Sequence, residues 1–89
     1  MPLVSFTPNL RRHLNAAPAN IEGDTLAAVL ERLFIDRPEL RGYLLDDQGG
    51  VRRHVAIFVD GRRVRDHRGL SDPVQPSSEI HVIQALSGG

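Results

Sequence analysis

The chain has 89 residues, of which 40% are hydrophobic and 25% are charged, and its eleven arginines balance eleven acidic residues to a net charge of zero. This length holds one small domain, and this balance argues against a disordered chain, a strongly basic nucleic-acid binder and an acidic tail protein. Cysteine is absent, which excludes disulfides, cysteine-based zinc sites and thiol nucleophiles and predicts a cytoplasmic protein.

Two further absences limit the chemistry that the chain can perform. The sequence contains no lysine, so it offers no ε-amine as a nucleophile or as an acceptor of an acyl group. Its apolar runs are short, and no basic region precedes one of them near the N-terminus. We therefore expect neither a signal peptide nor a membrane partner.

The first part of the chain predicts two strands. Pro2–Thr7 alternates apolar and polar residues, which is typical of a strand with one buried face. Asn15–Glu22 is predicted to return as a second strand, and Pro18 confines it to a sheet edge because proline donates no ladder hydrogen bond. In the first strand, Val4 and Phe6 share one face. The second strand is expected to bury Ala17, Ala19 and Ile21.

An amphipathic helix is predicted next. Asp24 is placed to cap its N-terminus, and Pro38 holds the preceding residue away from helical geometry, so we expect the helix to end near Asp36. Pro38–Leu45 predicts a further short helical turn, and the composition of residues 46–50 predicts a loop. The apolar residues that recur at the spacing of one helical face are Leu26, Val29, Leu30, Leu33 and Phe34.

The clearest pattern is a β-hairpin in the second half of the chain. In Val55–Val59, three β-branched residues alternate with Ala56 and Phe58, as in a strand. Asp60-Gly61 then forms a two-residue turn that requires positive φ, and Arg62–Arg65 returns as the partner strand. After an irregular connection, Glu79–Leu86 is the last predicted strand. The order of elements predicts an α+β fold, with a mixed sheet of about four or five strands packed on one main helix.

One face of this sheet is predicted to lack a covering helix. The Asp60-Gly61 turn sets a register that pairs Phe58 with Arg63 on that open face. Where the last strand lies beside the hairpin, His81 and Ile83 join Phe58 there. We interpret these four side chains as a candidate docking surface for a partner protein, because a central aromatic residue is a common anchor of interfaces.

The last predicted strand runs directly into Leu86-Ser87-Gly88-Gly89, where the sequence ends. Glycine has no Cβ, so such a tail can enter a narrow enzyme tunnel. Together with several internal segments, this tail resembles the MoaD/ThiS family of ubiquitin-like sulfur carriers over nearly the whole chain. Ser77-Ser78-Glu79 departs from the Asp-Gly-Asp turn of many members. The segments that carry the resemblance are Gly23-Asp24-Thr25-Leu26, Pro38-Glu39-Leu40-Arg41, Arg53–Gly61, Val64-Arg65, Gly69-Leu70 and Ser87-Gly88-Gly89.

The resemblance implies a ubiquitin-like β-grasp domain over residues 1–86 and a flexible tail over residues 87–89. It implies that an E1-like adenylating enzyme of the ThiF/MoeB type uses ATP to activate the carboxylate of Gly89, and that a sulfur donor then converts it to a thiocarboxylate. The catalytic groups belong to that partner. The chain is therefore expected to bind no cofactor, to be a carrier and not an enzyme, and to offer Leu86, Ser87 and Gly88 as its tail.

Within the family, the length and the segment Arg53–Asp60 are most similar to carriers of the CysO type, which serve cysteine or homocysteine synthesis. That similarity implies a sulfur-accepting enzyme such as a sulfhydrylase, and a JAMM-type metalloprotease as a further partner. A molybdopterin synthase small subunit is the alternative within the family. A ubiquitin-like protein modifier and a non-enzymatic β-grasp interaction module are alternatives from other classes.

Three other groups of residues suggest competing interpretations. Four histidines occur without metal-ligand spacing to one another or to a glutamate, so we predict no metal site. Ser71, Ser77 and Ser78 lie close to an aspartate but form no nucleophile elbow, which predicts loop serines. Residues 51–70 hold six arginines against two aspartates, a local net charge of +4. Because Phe58 is the single aromatic platform there, we expect an acidic protein partner or a solvated hairpin, and no nucleic acid.

Overall fold

The fold of the protein is given by a computed structural model that describes residues 1–8 and 17–84. Within these residues the sheet has the order β2-β1-β5-β3-β4, and β1 and β5 run parallel while the other neighbours are antiparallel. This is the predicted mixed sheet of an α+β fold. The elements are β1 (Leu3–Phe6), β2 (Ala19–Asn20), α1 (Leu26–Asp36), α2 (Glu39–Leu44), β3 (Val55–Val59), β4 (Arg62–Arg63) and β5 (Glu79–Gln84).

The core lies between α1 and one face of the sheet. The predicted apolar stripe of α1 is confirmed, with Phe34 half-buried at its margin and the other four residues buried. The strands and α2 supply the opposite wall, because alternate residues of a strand point to the same face. The buried residues of that wall include Val4, Phe6, Leu40, Leu44, Val55, Ile57, Ile80 and Val82.

The N-terminus of α1 differs from the prediction. The N-cap is Thr25, which has an extended backbone and whose Oγ1 accepts a hydrogen bond from the N–H of Ala28 at 3.2 Å. The expectation that Asp24 caps the helix is therefore wrong. The carbonyl of Asp24 instead accepts the N–H of Val74 at 3.0 Å, so a tertiary contact decides between two adjacent residues that both suit a cap. The predicted end at Asp36 is confirmed.

The second strand is shorter than predicted. Residues 15 and 16 lie outside the described residues, and β2 pairs with β1 only through Ala19 and Asn20. Ala17 is exposed, so its predicted burial is wrong, whereas Ala19 and Ile21 are partly buried. Pro18 donates no ladder hydrogen bond, and the carbonyl of Ala17 before it accepts a hydrogen bond from the guanidinium of Arg37 at 2.6 Å and not from β1.

The hairpin has the predicted register. Asp60 and Gly61 have φ values of 51° and 82°, which is the left-handed pair that a two-residue turn of this kind requires. Phe58 pairs with Arg63, and the strand β4 ends there, two residues earlier than predicted. No helix among the described residues is long and apolar enough to cross a membrane.

Candidate functional site: the open face of the sheet

The open face of the sheet carries a continuous row of side chains across four strands. Ser5 in β1 is opposite His81 in β5, His81 is opposite Phe58 in β3, and Phe58 is opposite Arg63 in β4. Phe58 is half-buried, while His81 and Arg63 are exposed. Ile83 lies two residues further along β5, opposite Ala56, and is 38% exposed. The structure therefore brings the four predicted docking residues together on one face, and their role in docking stays a prediction.

His81 in this row lies between a hydrogen-bond partner and a carboxylate. Ser5 Oγ and His81 Nδ1 are 2.8 Å apart, and His81 Nε2 lies 3.9 Å from Glu79 Oε1. The order of these groups is that of a Ser-His-acid triad, but His81 is exposed on the open face of the sheet, and the distance of 3.9 Å to the Glu79 carboxylate is too long for a hydrogen bond. The contacts orient the imidazole beside Phe58, which suits recognition better than catalysis.

A buried serine, which the sequence predicts to be a loop residue, joins the hairpin turn to the start of β5. Ser78 is 2% exposed, its hydroxyl donates to Asp60 Oδ2 at 2.8 Å, and its oxygen accepts the N–H of Gln75 at 2.8 Å. The N–H of Glu79 donates to Asp60 Oδ1 at 2.9 Å. The hydrogen bonds from Glu79 and then Ser78 hold the pKa of Asp60 below its usual value. The hairpin turn is thereby fastened to the start of β5, which sets Phe58 opposite His81.

Two further aspartates organise the connection between β4 and β5. The carboxylate of Asp66 accepts from the Ser71 hydroxyl at 2.7 Å and from the N–H of Gly69 at 2.8 Å, which lowers its pKa to about 2. The carboxylate of Asp72 accepts the N–H groups of Arg65 and Asp66, both at 2.9 Å. Ser71 thus stabilises this loop, and Ser77 is exposed, which agrees with the prediction that they are loop serines.

No group of three metal-ligating side chains occurs within residues 1–8 and 17–84. His54 instead packs edge-on against Tyr43, with ring centroids 6.2 Å apart. His13 lies outside the described residues, as do Leu86, Ser87, Gly88 and Gly89. The division into a domain over residues 1–86 and a tail over residues 87–89 therefore stays a prediction. The described part of β5 ends at Gln84, on a strand that lies between β1 and β3.

Comparison with known proteins now gives the class of this protein. Residues 13–89 match the ThiS family, and the chain belongs to that family. The sulfur carrier protein CysO of Mycobacterium tuberculosis (strain ATCC 25618 / H37Rv) is 29% identical over 89 residues, which cover 97% of this chain and 96% of that protein.

Solved structures confirm the predicted ubiquitin-like β-grasp fold. The crystal structure of Mycobacterium tuberculosis CysO has a TM-score of 0.82 at 27% identity and matches 97% of this chain and all of that one. A chain of the Amycolatopsis orientalis BexX/CysO complex has a TM-score of 0.84 at 20% identity and matches both chains in full. Small archaeal modifier protein 1 of Methanosarcina acetivorans has a TM-score of 0.80 at 22% identity, over 99% of this chain and 95% of that one.

Proposed function

We propose that this protein is a sulfur carrier whose Gly89 carboxylate is converted to a thiocarboxylate. The observation that carries the proposal is the match to the ThiS family over residues 13–89, which includes Ser87-Gly88-Gly89 at the end of the sequence. The relative named sulfur carrier protein CysO supports the same function. A carrier of this kind supplies a reactive end and a docking surface, and the enzyme that modifies it supplies the catalysis.

The proposed chemistry begins with a carboxylate, which is a poor electrophile. The Gly89 carboxylate attacks the α-phosphate of ATP in the active site of an E1-like adenylating enzyme of the ThiF/MoeB type, and pyrophosphate leaves. Hydrosulfide, or an equivalent sulfur donor, then attacks the acyl carbon of the adenylate and expels AMP. The product is a thiocarboxylate at Gly89. Glycine at position 88 suits this step because a tail without a Cβ passes through a narrow tunnel.

The open face is proposed as the surface that the adenylating enzyme recognises. Phe58 supplies an aromatic anchor at the centre of the row, Ile83 adds exposed apolar area, and Arg63 adds a charge at the side. Because β5 holds His81 and Ile83 and also leads towards the tail, docking on this face and entry of the tail are directed by one strand.

The sulfur acceptor is proposed to be a sulfhydrylase of cysteine or homocysteine synthesis, with a JAMM-type metalloprotease as a further partner. This choice rests on the similarity to CysO over 97% of the chain. A ubiquitin-like modifier is distinguishable by its product, because a modifier is recovered as isopeptide adducts on other proteins.

The proposal is tested by mass spectrometry of the intact protein. Incubation with a cognate adenylating enzyme, ATP and sulfide is expected to add the mass of one oxygen-to-sulfur exchange, located by fragmentation at Gly89. A variant that lacks Gly89 is the control, and it is expected to have the melting temperature of the native protein but to take up no sulfur. Gly88→Val is expected to fold and to react far more slowly, because a β-branched residue crowds the tail. Sulfur uptake by the variant without Gly89 would contradict the proposal.

A further inference from the structure

The edge of the sheet at β4 carries a second charged surface beside the open face. A surface depression of about 530 Å³ lies on this edge, next to the hairpin turn. We name it the β4 edge site. Its lining residues are Val59, Asp60, Arg62, Arg63, Arg65, Asp72 and Pro73.

The carboxylates of this site are already occupied. Both oxygens of Asp60 accept hydrogen bonds, one from Ser78 and one from the N–H of Glu79. Both oxygens of Asp72 accept backbone N–H groups. Among residues 1–8 and 17–84, Arg62, Arg63 and Arg65 form no ion pair. Arg65 is near enough to Asp72 for its positive charge to help lower the pKa of that carboxyl. The guanidinium donors of the edge are therefore available to a partner. Each guanidinium is planar and can donate two parallel hydrogen bonds to one carboxylate.

Other arginines of the same region are differently placed. Arg52 donates to the carbonyl of Gly42 at 2.8 Å, and Arg52 and Arg68 both lie near Asp46. Of the six arginines in residues 51–70, Arg53 and Arg68 are also exposed, but only Arg62, Arg63 and Arg65 line the β4 edge site.

The backbone of the edge suits an extended partner. The N–H of Val64 donates to the carbonyl of Ile57 at 2.9 Å, so residues 57 and 64 form a hydrogen-bonded pair. Such pairs alternate with non-hydrogen-bonded pairs in antiparallel strands, so the N–H and C=O of Arg63 point away from β3, where the sheet ends. Two copies of this edge would oppose arginine with arginine, which disfavours self-pairing, whereas a segment rich in carboxylates is attracted.

We infer that the β4 edge site binds an extended acidic segment of a partner protein, whose carboxylates pair with Arg62, Arg63 and Arg65. A nucleic acid fits less well, because the described lining of the site includes no aromatic side chain for base stacking. The binding needs neither Gly89 nor an adenylating enzyme.

The test is an NMR titration of the unloaded protein with a short peptide in which glutamate alternates with threonine. We expect the largest amide shifts at residues 62–65. The doubly substituted variant Arg62→Gln, Arg65→Gln is expected to bind at least about tenfold more weakly, since hydrogen bonds to charged groups are the strong ones. Arg41→Gln removes one positive charge, half of what the double variant removes, from the exposed side of α2 and is expected to change affinity less than about twofold.

Three results would overturn the inference. The first is equal binding of a peptide in which glutamine replaces glutamate. The second is an equal loss of affinity in the double variant and in Arg41→Gln. The third is tighter binding of an oligoadenylate RNA than of the acidic peptide at the same ionic strength. Because no sulfur loading is involved, failure here and failure of the carrier function are separate outcomes.

Discussion

The two faces of the sheet are built from the same strands, yet they differ in burial and in chemistry. On the side covered by α1, Ile57, Ile80 and Val82 are buried, whereas on the open side Phe58 is half-buried and His81 is exposed. Neighbours in sequence thus belong to opposite faces, because side chains alternate along a strand. The difference in burial predicts that stability depends on the covered face and partner binding on the open face, and substitutions at adjacent positions test that separation.

The largest effect is expected on the covered face. Leu30 is 1% exposed at the centre of the α1 stripe, so Leu30→Ala is expected to lower the free energy of unfolding by about 2–5 kcal/mol. The matched control is Ile35→Ala on the same helix, because Ile35 is 81% exposed and its truncation is expected to change stability by less than about 0.5 kcal/mol. Thermal and denaturant unfolding check both values, and equal stability of the two variants would contradict the assignment of the helix faces.

The open face is expected to respond in binding. Phe58→Ala is expected to retain a cooperative unfolding transition and to weaken binding to the cognate adenylating enzyme by about 2 kcal/mol or more, because a central aromatic anchor is lost. Ile57→Ala, one residue earlier and fully buried, is expected to show the opposite pattern, with a large loss of stability. Isothermal calorimetry and melting curves separate the two. Unchanged affinity of the Phe58 variant would place the interface on another surface.

Both faces of the sheet could largely be predicted from the sequence, because the patterns that define them involve neighbouring residues. Alternation in Val55–Val59, the Asp60-Gly61 turn and the helical spacing of the α1 stripe each depend on a few neighbouring residues, so the register that places Phe58 opposite Arg63 was predictable. Where the prediction failed, a distant residue decided the outcome. The guanidinium of Arg37 donates to the carbonyl of Ala17, and the N–H of Val74 donates to the carbonyl of Asp24.

The connection between β4 and β5 shows the same limit more strongly. Leu70 is a buried leucine with a φ of 55°, a conformation that no local pattern predicts for this residue type. The N–H of Leu70 donates to the carbonyl of Asp66 at 3.0 Å, and its own carbonyl accepts the N–H of Ala27 at 2.7 Å. The Ser78–Asp60 contact joins residues that are 18 positions apart, so a serine that reads as a loop residue acts as a structural one.

Ser78→Ala tests the contact that joins the hairpin turn to β5. The substitution leaves the N–H of Gln75 and one oxygen of Asp60 without their present partner, so we expect stability to fall by about 1–3 kcal/mol. Ser77→Ala, at the exposed neighbouring position, is the control and is expected to change stability by less than about 0.5 kcal/mol. Chemical denaturation measures both, and matching curves for the two variants would rule out a structural role for the buried hydroxyl.

Acid is expected to loosen the connection between β4 and β5. In the folded protein the hydrogen bonds from Ser71 and Gly69 lower the pKa of Asp66 to about 2, whereas an unfolded aspartate has a pKa of about 3.9. The unfolded state therefore binds more protons in acid, so this stabilisation is fully present above about pH 4 and is lost as pH falls towards 2.

The measurement is the melting temperature as a function of pH. Asp66→Asn is expected to flatten the decline between about pH 4 and pH 2, because the neutral amide no longer titrates. Asp47→Asn, in the exposed loop after α2, is the control and is expected to leave the slope unchanged. Identical slopes in the native protein and in the Asp66 variant would show that other carboxylates carry the acid sensitivity.

The smallest effect is expected at the side of the open face. Arg63 is exposed and contributes a single charge beside Phe58, so Arg63→Ala is expected to weaken binding to the adenylating enzyme by less than about 1 kcal/mol. The effect is expected to grow at low salt, because the Debye length increases from about 10 Å at 0.1 M to about 30 Å at 0.01 M. The loss caused by Phe58→Ala is expected to change little with salt, because burial of apolar area is not a charge interaction. Calorimetry at two ionic strengths with Arg41→Ala as the charge-matched control checks this contrast. A salt-independent loss at Arg63 would mean that its hydrocarbon stem packs in the interface and that its charge contributes nothing.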